Sequence, residues 1–257
     1  MRSGTISAAL RGTITGLAAE ATHDQGTAIA AAIEDVLDQR GLQSPFGGAH
    51  PWGAAGTASA PAPDGALGLL GAFAGVLAGD GTTVPPAAGV GAVWAGVEAL
   101  GPVEVVDATV SVPLWALASG VSDATGWLLH GAPGGTADAA GDACAVRVDG
   151  AELGDPRLSG ALRDGLTGAL GAVDAPADVL AALRQAEAAA PTPYREHGRS
   201  GSPVCVVVPT GRWSSALAEA LVTEVLASCL TVGMTGDVAV TARGLGPEHR
   251  PAASVRA

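Results

Sequence analysis

Apolar residues along this 257-residue chain fall into short blocks whose spacing changes from one block to the next. Residues 4–20 carry Thr, Ile and Leu in a pattern that predicts a strand followed by a turn. From Gln25 the period lengthens. Ile29, Ile33, Val36 and Leu37 share one helical face, and Gly41 stands where a C-terminal cap belongs. A loop of Pro, Gly and Ser runs from Ser44 to Gly65. Ala66 to Ala78 is apolar nearly all round, which predicts a helix packed inside a layered domain and stopped by Pro85-Pro86. Val103 to Val112 is β-branched and alternating, as a strand requires, and Leu114 to Leu129 predicts a further short strand pair.

Around residues 131–142 the composition turns to Gly, Ala, Asp and Pro, and a second series of blocks begins. Ala145 to Val148 predicts a strand, Leu158 to Leu170 and Leu180 to Ala190 predict helices, and Thr192 to Pro203 predicts a loop. Val204 to Val208 is a continuous apolar run suited to a buried strand. Ser214 to Leu230 predicts a long helix, Val238 to Thr241 a last strand, and the tail from Gly244 a frayed end. Alternating strands and helices imply an α/β layered architecture. The similar order of the two series suggests an internal duplication, with units at 1–133 and 145–257 joined by a linker at 134–144.

Composition narrows the function. Hydrophobic residues make up 48% and charged residues 15%, which excludes a disordered chain. The net charge is −12 and all thirteen basic residues are arginine, so no basic face is expected for nucleic acid or an anionic membrane. Arg11 interrupts any leader-like apolar core near the start. Three cysteines without a CxxC pair read as reduced thiols, and together these features predict a cytoplasmic protein. His23, His130, His197 and His249 are scattered without metal-ligand spacing. No dinucleotide fingerprint, Walker loop or GxSxG elbow occurs, so neither a cofactor nor a metal is expected.

One series of motifs does suggest a family. His50-Pro51-Trp52-Gly53-Ala54-Ala55-Gly56 is followed by Ala66-Leu67-Gly68-Leu69-Leu70 and then by Asp80-Gly81-Thr82-Thr83-Val84-Pro85-Pro86. Leu117 to Thr125 forms a degenerate glycine turn, and Gly26 to Leu42 precedes the series as a helix. In this order the segments resemble the C-terminal half of the beta-ketoacyl synthase family, with its GAAG turn, apolar helix, RDG-x-x-PP exit and glycine turn. Thr210-Gly211-Arg212 before a long helix resembles the non-catalytic chain-length factors of type II polyketide ketosynthases. The resemblance implies a partial thiolase-like fold made of two related half-units.

It also implies which chemistry is missing. Condensation in that family needs a cysteine thiolate at a helix N-terminus beside two histidines. Here the nucleophile's half is absent, the first histidine's segment is deleted, and the family lysine falls on Pro45. In the glycine turn, Val121, Ser122 and Asp123 replace family residues. His50 alone matches a catalytic position, that of the second histidine, which stabilises enolate charge electrostatically. Cys205 lies in the valine run and Cys229 in a helix, as inert thiols do. The resemblance therefore implies a protein without turnover, chain-length-factor-like and tied to polyketide or fatty-acid-type biosynthesis. Its partners would be an intact ketosynthase and an acyl carrier protein, in a hetero- or homodimer. Two rival readings are an acyltransferase using His50 with Cys144, Cys205 or Cys229, and a degenerate remnant without activity.

Overall fold

Strand β1 (Gly4–Ile14) alternates small apolar side chains with Ser7 and Arg11, a period that gives the sheet one apolar face and one polar face. A computed structural model describes residues 4–14, 35, 39, 50–51, 68–77, 86–98, 103–119, 142–188 and 202–245. After β1 come β2 (His50–Pro51), β3 (Gly68–Leu77), α1 (Pro86–Glu98), β4 (Val103–Pro113) and α2 (Leu114–Ser119). The second series is β5 (Ala143–Gly150), α3 (Pro156–Leu170), β6 (Val173–Asp174), α4 (Ala177–Ala188), β7 (Val204–Pro209), α5 (Ser215–Thr231) and β8 (Asp237–Leu245). The result is an α/β fold, as the alternation implied.

Among the described residues eight strands join one sheet in the order β2-β3-β1-β4-β8-β5-β7-β6, and each of their ladders is antiparallel. The order is mirrored about the β4–β8 seam. Each strand of the first series has its counterpart four strands later in the second, at the same distance from the seam. β3 and β4 both run opposite to β1, so they are parallel to each other with β1 between them, and α1 makes the crossover. α5 makes the same crossover from β7 to β8 around β5.

Helices α1 and α5 pack on each other and over one face of the sheet, with α3 beside them. Their shared core takes Leu10 from β1, Val110 from β4, Val146 from β5, Val206 from β7 and Val240 from β8, with Val93, Leu166, Val222 and Leu226 from the helices. Each such side chain stabilises the fold by roughly 1.5–3 kcal/mol when fully withdrawn from water. Trp94 of α1 meets Trp213 at 5.7 Å between ring centroids, and the Trp213 indole donates to the Val105 carbonyl at 2.8 Å. Trp213 also fixes Gly244 of β8, since a Cβ there would lie 2.6 Å from its ring. The opposite face is covered over β5 and β7 by α4, through Val179 and Leu183 on Ala143, Ala145, Cys205 and Val207.

Four expectations are corrected. β8 runs on to Leu245 instead of ending at Thr241, so Gly244, expected in a frayed tail, pairs with Cys144 and lies against Trp213. The segment read as a helix over 66–78 is strand β3, because Gly68, Gly71 and Gly75 weaken a helix while β1 offers a full antiparallel partner. Pro86 opens α1 rather than merely ending an element, since proline's missing N–H costs nothing in a first turn. The strand pair expected over 114–129 begins instead as α2. Proline at 113 ends the ladder, and Leu-Trp-Ala-Leu-Ala favours helix. Residues 120–129 lie outside the described residues, as do most of the helix expected from Gln25, of which Asp35 and Gln39 are helical and exposed.

Candidate functional site

The polar face of the sheet holds the densest set of chemically capable side chains among the described residues. β4 presents Asp107, Thr109 and Ser111 there in strict alternation with Ala108, Val110 and Val112 on the apolar side. Their partners across the ladders complete three rows. In the first, Arg11, Asp107 and Arg243 stand side by side on β1, β4 and β8. The next aligns Thr109, Thr241 and Arg147, and a third aligns Ser7, Ser111, Ala239 and Asp149.

This polar surface is buried. Asp107 is 0% exposed, Ser111 1%, Arg11 4% and Arg147 7%. Arg147 is satisfied by Asp149, which takes Nε and Nη2 on its two oxygens at 2.7 Å each. Thr109 and Thr241 share a hydrogen bond of 3.0 Å across the seam. Arg11 reaches Asp107 through Nε at 2.7 Å, and Arg243 gives Nη1 to the Ala182 carbonyl at 3.1 Å. Among the described residues three atoms are left over: Arg11 Nη1, Asp107 Oδ2 and Ser111 Oγ are buried without a hydrogen-bond partner. Both ladders of β1 also shift register next to Arg11, a local irregularity of the kind that re-aims a side chain. Burial pushes the Asp107 carboxyl above its ordinary value, and the Arg11 and Arg243 guanidinium groups pull against that shift.

The residues singled out by sequence are not brought together. His50 sits in β2, opposite Ala74 at one edge of the sheet. Cys144 is five strands away in β5 and Cys205 six strands away in β7, so at about 4.8 Å per strand their backbones lie roughly 24 and 29 Å from His50. Cys229 is buried in α5 on the apolar face. Withdrawal from water pushes the Cys144 thiol up to about 11, against a weak pull from the Thr210 hydroxyl at 3.3 Å, and pushes Cys229 up to about 12. Neither thiol is a thiolate near neutral pH. Arg212 lies at the turn before α5, whose N-cap is Ser214. Among the described residues no group of three or more His, Cys, Asp or Glu is placed to hold a metal ion, and no helix is long and apolar enough to cross a membrane.

Sequence reasoning missed the polar rows. Asp107-x-Thr109-x-Ser111 is a legible period of two, but a polar stripe on a strand ordinarily faces water. Burial of that stripe depends on ladders between residues about a hundred positions apart, which no local pattern encodes.

The site and sheet together define an antiparallel α/β protein with a buried polar face and no assembled thiol–imidazole pair among its described residues. Compared with family models, with curated proteins and with solved structures, the chain gives no match.

Proposed function

We propose that the protein is a non-catalytic, ketosynthase-like subunit of the chain-length-factor kind, acting in the cytoplasm by associating with an intact ketosynthase and an acyl carrier protein. The observation that carries this reading is the separation of chemical parts. Acyl condensation needs a thiolate within reach of an imidazole. In this chain the one family-like histidine, His50, and the cysteine-bearing strands β5 and β7 lie toward opposite edges of the sheet. Two of the thiols, Cys144 and Cys229, are also held protonated by burial. The mirrored strand order supports the view that two related half-units make up the chain, as a thiolase-like origin would require.

Co-expression with an intact ketosynthase, followed by affinity capture and light scattering, is expected to give a stable heterodimer. Incubation with an activated acyl thioester is expected to leave the intact mass unchanged. A monomer indifferent to ketosynthase subunits would refute the association, and a covalent acyl adduct lost in His50→Ala would refute the absence of turnover.

A further inference from the structure

The row formed by Arg11, Asp107 and Arg243 carries an imbalance. Two guanidinium groups flank one carboxylate on adjacent strands, and Asp107 accepts a hydrogen bond from only one of them. Arg243 spends a donor on the Ala182 carbonyl, an uncharged partner. Arg147, the third arginine of this face, is already matched by both oxygens of Asp149. The row therefore holds one positive charge more than its own acid neutralises, and Arg11 is 4% exposed. A buried guanidinium without full compensation is unfavourable, because water no longer solvates it. Arg11 Nη1 is the unmatched donor of that group. Asp107 Oδ2, also unmatched, shows that the pair has not closed into the two-bond fork that arginine and aspartate form when nothing else competes. The shift of register beside Arg11 in both of its ladders marks the same place.

We propose that the Arg11–Asp107–Arg243 row is a binding site for a small oxyanion, a carboxylate or phosphate group, received by the free Nη1 of Arg11 and by Arg243. The ligand replaces the missing negative charge, and its oxygens accept the hydrogen bond that the protein leaves unmade. Arg243 is the less buried of the two arginines. Asp107 holds the Arg11 side chain in place through Nε while repelling the anion, so it limits affinity as well as positioning the donor. This site is independent of the proposed association with a ketosynthase.

The test uses the full chain, with inorganic phosphate and acetate each compared against sodium chloride at equal ionic strength. Isothermal titration is expected to show one site for at least one of the two anions, and the same anion raises Tm above the chloride reference. A response to phosphate alone identifies a phosphorylated ligand, and a response to acetate alone a carboxylate. Arg11→Gln and Arg243→Gln are expected to abolish the response. Should the more buried Arg11→Gln fail to fold, the partly exposed Arg243 carries the test. Asp107→Asn is expected to tighten binding by roughly tenfold, since it removes the competing charge. Arg163→Gln, which breaks the exposed Arg163–Asp174 pair, leaves binding unchanged. Equal Tm in chloride, phosphate and acetate, or binding that survives both arginine substitutions, overturns the proposal.

Discussion

Burial at Cys144 and Cys229 removes the water that would solvate a thiolate, and the consequence is visible in stability as well as reactivity. Both groups keep their protons in the folded state to about 11 and about 12, whereas in an unfolded chain they ionise from about 9. Above pH 9 the unfolded state therefore loses protons that the native state retains, and stability falls as pH rises. Each thiol contributes about 1.4 kcal/mol per pH unit to that fall until its folded value is reached. Denaturant midpoints measured from pH 8 to 10.5 are expected to decline, with a shallower slope in Cys229→Ala. A flat profile in the parent protein would contradict the burial of both thiols. The inertness of Cys229 was legible in the sequence from its helical, apolar setting. The raised carboxyl of Asp107 was not, because nothing in Val-Val-Asp-Ala-Thr says that the polar side of this strand will be withdrawn from water.

At the scale of single elements, short-range chemistry sets the boundaries. Asp155 caps α3 by accepting from the Arg157 N–H at 2.8 Å, and Pro156 opens that helix. Gly171 closes it with φ 64°, its N–H returning to the Thr167 carbonyl at 3.0 Å. Asp155→Ala is expected to cost about 1 kcal/mol by denaturant titration. Gly244→Ala should cost more, because the added methyl meets the Trp213 ring, and it should alter tryptophan emission as that ring is displaced. An unchanged spectrum with unchanged stability would mean that Trp213 is not seated on β8. Elements whose signals are local were readable in advance. The unbroken Val-Cys-Val-Val-Val run became β7, and the stretch from the Ser214 cap to Thr231 became α5. The failure at β3 has the complementary cause. Its Gly- and Ala-rich sequence has no strong local preference, and pairing along β1 decides the outcome.

At the scale of the molecule, the sequence suggested two series of similar order but set a helix over 66–78 against the one from Ser214, whereas β3 mirrors β7; the seam joining the two series was not legible. The two series share a single sheet, and α1 and α5 share a single core across it. A fragment from 134 to 257 would keep β5, β7 and β8 but expose the β8 edge and the flank of α5 that α1 covers. Because the order is mirrored, a second copy of the fragment can occupy the place of the first series, β8 against β8. Light scattering is expected to report a dimer for the folded fragment, and a folded, monodisperse monomer would contradict the equivalence of the two halves.

Among the described residues the outer margins of the sheet are its shortest strands, and this shapes what can join it. On one side β2 contributes two residues, of which Pro51 has no N–H to offer, and on the other β6 contributes Val173 and the ion-paired Asp174. Among the described residues these margins pair with only Phe73 and Ala74 of β3 and with Val206 and Val207 of β7, so they interrupt the outer edge of each longer strand rather than hide it. A segment that adds to this broad β-surface would therefore meet a broken run of backbone rungs in place of a continuous one.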